Sequence, residues 1–132
     1  MTRTANRAVV LFAHGARDPQ WAEPFHRIRQ QVMVLSGPDL RVELAFLELM
    51  EPSLEDCVRS LWHQGVGILT LVPLFMAQGG HLKKDLPRLV EALQEECRGL
   101  HVRITPALGE SSELILAMAD WVVRQDAVTA ED

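Results

Sequence analysis

Positive charge is scarce in this chain: 13 Lys and Arg stand against 18 Asp and Glu, a net charge of −5 over 132 residues. That balance excludes a protein that grips nucleic acid through a basic face, because phosphate binding needs a local surplus of cations. Long apolar runs are missing too. No stretch approaches the roughly 18 residues of a membrane span. Val9–Ala13, behind the basic start MTRTANR, is far too short for a signal-peptide core. A soluble, cytoplasmic protein is expected, with neither nucleic acid nor membrane among its partners. Cysteine is nearly absent. Cys57 and Cys97 lie far apart and form no C-x-x-C pair, which signals neither a disulfide framework nor an iron–sulfur cluster. Both read as small buried hydrophobes.

Apolar residues are what the chain has, at 48%, enough for the core of one domain. The expectation is a single domain over 1–132, with its core at 7–126 and a polar, frayed tail at 127–132. Ala8 to Ala13 is a continuous apolar run closed by His14-Gly15, which reads as a central strand covered on both faces. Asp18-Pro19 then starts a helix, carrying Phe25, Ile28, Val32 and Leu35 to a stop at Ser36-Gly37-Pro38. Leu40–Leu47 reads as a second strand. Ser53 caps a second helix, with Asp56 at the capping-box position and Gly65 after its end. Val66–Phe75 is a third strand, closed by Gly79-Gly80, and Asp85–Cys97 a third helix. Val102–Thr105 makes a fourth strand. Ser111 or Ser112 opens a last helix with Leu114, Ile115, Met118, Ala119 and Val122.

Four strands alternating with four helices predict an α/β fold of three layers around a parallel sheet. Right-handed crossovers leave few topologies. The favoured one is the flavodoxin-like order 2-1-3-4.

Five histidines are present, and two stand apart. His26 and His63 fall on helices, and His101 opens an outer strand, where a surface role suffices. His14 follows the first strand directly, and His81 follows the third by a glycine-bearing loop. Ligands of doubly wound sheets bind outside the carboxyl ends of the strands, where the crossover direction reverses. In the order 2-1-3-4 that point lies between strands 1 and 3, which puts both imidazoles on opposite lips of one crevice. Neighbouring strands are about 4.8 Å apart, so both rings can reach one ion. The end of strand 2 delivers Glu48. Two histidines and a carboxylate suit Co²⁺, Fe²⁺, Ni²⁺ or Zn²⁺. Gly15, Gly79 and Gly80 are expected to take positive φ and let the backbone approach a large ligand.

The run Leu11-Phe12-Ala13-His14-Gly15-Ala16-Arg17-Asp18-Pro19 resembles the first motif of the class II metal chelatases of the small sirohydrochlorin cobaltochelatase type. The run from Val72 to Pro87, with Met76-Ala77-Gln78-Gly79-Gly80-His81 at its centre, resembles the family's second motif. Phe46-Leu47-Glu48 with Pro52-Ser53-Leu54 matches a third segment. The resemblance spans about residues 7 to 110. It implies a chelatase-like fold in which His14 binds the metal and accepts protons, and His81 is the second metal ligand. It also implies that Glu48 and the loop Met76, Ala77, Gln78, Gly79, Gly80 and His81 contact a tetrapyrrole such as sirohydrochlorin. Ala16 departs from the family's usual serine after His-Gly and removes a hydroxyl from the rim.

Metal insertion strips water from the cation and removes two pyrrole N–H protons. Imidazole, with a reference pKa of about 6.5, can both hold a metal and take up protons near neutrality. Glu48 can accept a pyrrole proton or orient a histidine. The substrate is a polycarboxylate, for which Arg17, Lys83, Lys84 and Arg88 are candidate partners. The divalent metal, Co²⁺, Fe²⁺ or Ni²⁺, is a substrate, and no permanently bound cofactor is expected. A macrocycle is wide for one four-stranded unit, and longer relatives look like two fused copies, so a homodimer with facing crevices is expected. Two other readings compete. A metal carrier or sensor would keep the pair without turnover. A histidine phosphatase would want an arginine before its histidine, where Ala13 stands.

Overall fold

The computed structural model describes residues 6–131, with side chains to residue 126. Its strands are β1 (Arg7–Ala13), β2 (Leu40–Phe46), β3 (Ile68–Pro73) and β4 (His101–Ile104), and its helices α1 (Glu23–Ser36), α2 (Leu54–His63), α3 (Gly80–Glu96) and α4 (Ser112–Glu131). The sheet is four-stranded and parallel, in the order β2-β1-β3-β4. The expected topology holds.

The core divides across the sheet because alternate residues of each strand face opposite sides. Val10 and Phe12 of β1 join Leu69 and Leu71 of β3 under α2 and α3, whose Leu54, Val58, Leu61, Leu86, Val90 and Leu93 close that layer. Leu11 and Ala13 point the other way, with Val42, Leu44 and Phe46 of β2, beneath Phe25 and Val32 of α1 and Trp21 of the turn before it. Each large side chain fully buried in this way stabilises the fold by roughly 1.5–3 kcal/mol.

Two helix boundaries differ from the sequence reading, and one expected capping box does not close. Asp18 does act as a cap, its carboxylate accepting from the Gln20 N–H at 2.9 Å, but the turn it opens is a 3-10 turn, Pro19–Ala22. Pro24 has no N–H to continue that ladder, so the α-helix begins afresh at Glu23. At α2, Ser53 accepts from the Asp56 N–H at 3.2 Å, but the Asp56 carboxylate faces Arg59 instead of closing a capping box. Aspartate is one methylene shorter than the glutamate that closes such a box. The third helix starts at Gly80, with Gly79 as its cap, five residues before the expected Asp85. Glycine gives no local start signal, and the turn is held by the Lys83 N–H donating to Gly79 O at 3.0 Å.

The last helix departs most. α4 packs chiefly on the short turn Leu108–Glu110 and not on the sheet. Of its expected inward stripe, Leu114, Ile115, Met118 and Val122 are all exposed. The helical backbone also continues through Glu131, across most of the segment expected as a frayed tail. Asp132 lies outside the described residues.

Candidate metal and macrocycle site

Three chain segments meet at the carboxyl end of β1. Beyond the strands, the Leu47 N–H donates to Ala13 O at 2.9 Å and the Glu48 N–H to His14 O at 3.0 Å, so the β1–β2 pairing runs on past the sheet edge. Gly15 makes this approach possible. It has φ +94°, and a Cβ there would lie 1.8 Å from the Glu48 carbonyl oxygen. The space it frees is therefore filled by the Glu48 backbone and not by a ligand. On the other side the Leu74 N–H donates to Phe12 O at 2.8 Å, and this brings Phe75 under His14. Their ring centroids are 4.3 Å apart, tilted by 40°. Phe75 is itself buried edge-on against Phe12 at 5.4 Å. His14 thus has an apolar floor that limits its ring rotamers, while its outer side meets solvent.

His81 stands in the first turn of α3, not in a free loop, and is exposed. Gly79 and Gly80 correct the expectation of positive φ. Gly79 has φ −66°, Gly80 is an ordinary first helical residue, and a Cβ on either would meet nothing within 4 Å. The space above them is open, as approach by a large flat ligand requires. Met76, Ala77 and Gln78 carry the chain from Phe75 into this turn, and Met76 is 60% exposed.

Among the described residues, no three His, Cys, Asp or Glu side chains stand together as a metal-holding group. The set His14, His81 and Glu48 is therefore not assembled. The Glu48 backbone is locked to β1, while its side chain points into solvent. Of the cationic rim, Lys83 pairs with Glu110 at 3.5 Å, whereas Arg17, Lys84 and Arg88 carry no ion pair among the described residues.

Sequence reasoning passed over Phe75 and Glu110. Phe75 sits inside the second motif but reads there as one more core residue. Glu110 accepts from the Ala107 N–H at 3.0 Å, and this bond, helped by Lys83, lowers its pKa. A glutamate three residues after a helix-start position was the available signal.

The CbiX family profile matches residues 8–125. This chain belongs to the CbiX family. Two curated CbiX-like relatives are sirohydrochlorin cobaltochelatases. That of Methanopyrus kandleri is 36% identical over 83 residues, 63% of this chain and 57% of its own length. That of Sulfurisphaera tokodaii is 31% identical over 101 residues, 76% of this chain and 78% of its own. The chain thus matches little more than half of the Methanopyrus protein. Among solved structures, a cobalamin-biosynthesis CbiX protein from Marinobacter aquaeolei VT8 superposes with a TM-score of 0.78 at 36% identity, covering 93% of this chain and 98% of that one. The sirohydrochlorin chelatase SirB of Bacillus subtilis subspecies spizizenii, solved in complex with cobalt, shares the fold at a TM-score of 0.68 and 22% identity. This chain covers 47% of it. No helix among the described residues is long and apolar enough to cross a membrane.

Proposed function

We propose that this CbiX chain inserts a divalent metal, Co²⁺ first and Fe²⁺ next, into sirohydrochlorin or a related tetrapyrrole. The observation that carries the reading is the placement of His14 and His81. One ends β1 and the other opens the helix after β3, so both flank the junction of the two adjacent central strands where such sheets bind ligands. Family membership supplies the substrate class.

In this reading His14 and His81 ligate the ion, His14 accepts a proton, and Glu48 takes up the second. The metal enters the ring as two N–H protons leave, so charge and protons balance. Phe75 holds the His14 ring in place, which reduces the ordering cost of each turnover. An open pair of imidazoles without a closed third ligand suits an ion that must be handed on, because imidazole binds borderline cations less tightly than a thiolate set would. The macrocycle lies over the open backbone of Gly79 and Gly80, with Met76, Ala77 and Gln78 beside it. Arg17 and Lys84 meet its carboxylates, and Lys83 joins them on leaving Glu110. A homodimer with facing crevices supplies the second wall.

The test is metal insertion into sirohydrochlorin followed by visible absorption, with Co²⁺, Fe²⁺ and Ni²⁺ side by side. Wild-type protein is expected to insert Co²⁺ faster than buffer, and His14→Ala and His81→Ala each to lower the rate at least about 100-fold. Full activity in both variants defeats the assignment. Co²⁺ binding without accelerated insertion favours a carrier or sensor.

A further inference from the structure

His14 and His81 are carried by different segments, and one short turn meets both. Leu108–Glu110 follows β4 at the carboxyl end of the sheet. Ala107, just before it, is fully buried in the core layer under α2 and α3, whereas Leu108 packs into the layer under α1. Neighbouring residues thus plug into opposite faces of the sheet, which fixes the turn at its edge.

On the His14 side the contact is made by backbone. The Gly109 N–H donates to Phe75 O at 3.3 Å, and a Cβ on Gly109 would lie 1.5 Å from the Met76 carbonyl oxygen. Gly109 does not have a positive φ, so glycine is needed here for close approach and not for conformation. Phe75 is the ring on which His14 rests, 4.3 Å away. The turn therefore holds the floor of His14.

On the His81 side the turn meets a helix start that is weak by itself. Gly79 caps α3 without a side-chain hydrogen bond, and the first turn has no acidic residue. Lys83 and Lys84 follow instead, close to the positive end of the helix dipole, where cations are unfavourable. Pro87 lies inside α3 and has no N–H to give the Lys83 carbonyl. Leu82 packs on the core from this turn, while Gly80, His81 and Lys83 are exposed. Glu110 brings the missing negative charge from outside. One carboxylate oxygen accepts from the Ala107 N–H at 3.0 Å, and the other lies 3.5 Å from Lys83 Nζ. The Ala107 bond holds this carboxyl below its ordinary range, so it is charged at neutral pH.

We propose that Leu108–Glu110 is a brace that sets His81 relative to His14, with Glu110 the positioning residue for the first turn of α3. Glu110 touches neither ion nor macrocycle and acts through Lys83. The proposal rests on the reading that the two histidines hold the metal, and it names what fixes their separation. An exposed ion pair adds little to global stability. Its effect here is local, because the turn it steadies lacks the cap, the acid and the ladder bond that steady other helix starts.

The experiment uses full-length Glu110→Gln, which keeps an acceptor for the Ala107 N–H, and Lys83→Met, which keeps the stem and loses the charge. Co²⁺ alone is the probe, titrated by its visible absorption, and hydrogen exchange at the Lys83 amide reads the turn directly. Each variant is expected to speed that exchange and to weaken Co²⁺ binding by about 5-fold, with the urea midpoint held. The double variant is expected to match the singles, since the two residues act as one unit. Charge alone predicts otherwise: losing a cation at Lys83 would tighten Co²⁺ binding, so opposite shifts in the two variants overturn the brace. Unchanged exchange or unchanged Co²⁺ affinity overturns it as well. In cobalt insertion Glu110→Gln is expected to lower kcat without raising KM for sirohydrochlorin. A lower KM at unchanged kcat would mean that Glu110 only sequesters Lys83, and the brace fails. Wild-type chain that neither binds nor inserts Co²⁺ defeats the chelatase reading, and the exchange rates then decide the brace alone.

Discussion

Gly15 has no room for a methyl group. Its positive φ and the Glu48 carbonyl 1.8 Å from a built Cβ mean that Gly15→Ala must both strain the backbone and push the β2 end off β1. The expected cost is about 2–5 kcal/mol, read as a lower urea midpoint, with insertion activity falling as the His14 loop shifts. Gly79→Ala is the contrast. With nothing within 4 Å of its Cβ, stability is expected to hold while KM for the tetrapyrrole rises; an unchanged KM would remove that turn from the binding surface. Cys57 carries a pH signature. Burial first, and Glu43 second, push its thiol from 9.0 up to about 12. Its folded pKa exceeds the unfolded one, so its share of stability is whole below pH 9 and is lost as pH rises toward about 12. The urea midpoint should fall over that window, and Cys57→Ala should flatten the fall. The glycines also show what a sequence conceals. A glycine after His14 was legible, but whether its missing side chain makes way for a ligand or for the Glu48 backbone depends on a neighbour 33 positions along.

At the scale of elements, local signals were reliable where a side chain itself makes the boundary. Ser53 caps α2 as its type and place suggested, through a bond to the Asp56 N–H. Ser53→Ala is expected to cost about 1 kcal/mol, seen as a midpoint shift without a change in slope; no shift would mean the cap bond contributes nothing net. The sheet order was equally legible, because β-rich apolar runs alternating with helical patterns admit few right-handed arrangements. The start of α3 was not. Gly79 and Gly80 have no side chain to announce a cap, and the first turn that takes in His81 is held by the backbone bond from the Lys83 N–H to Gly79 O. α4 was misread for a different reason. Its apolar pattern declares burial but does not say against what.

For the whole molecule, α4 leaves most of its apolar side chains uncovered. If two copies of the chain pair as the expected homodimer, unfolding includes dissociation, and a tenfold rise in protein concentration should raise Tm by about 2–3 °C. Calorimetry over a concentration series checks this, and a constant Tm would indicate a self-sufficient monomer. The candidate site belongs to the same scale. One imidazole follows the end of β1 and the other stands in the first turn of α3, and the sheet brings both to one edge.

By itself the amino-acid sequence determined the strands, their parallel order and the two histidines at the sheet's carboxyl edge. Hydrophobic period, chain order and crossover handedness are properties of short segments and of connectivity. Three things waited for tertiary structure: the Phe75 floor beneath His14, the Glu48 backbone that occupies the space at Gly15, and the direction in which α4 leaves the domain. Each is a contact between residues far apart in the chain, set by how whole elements pack, and no local pattern carries it.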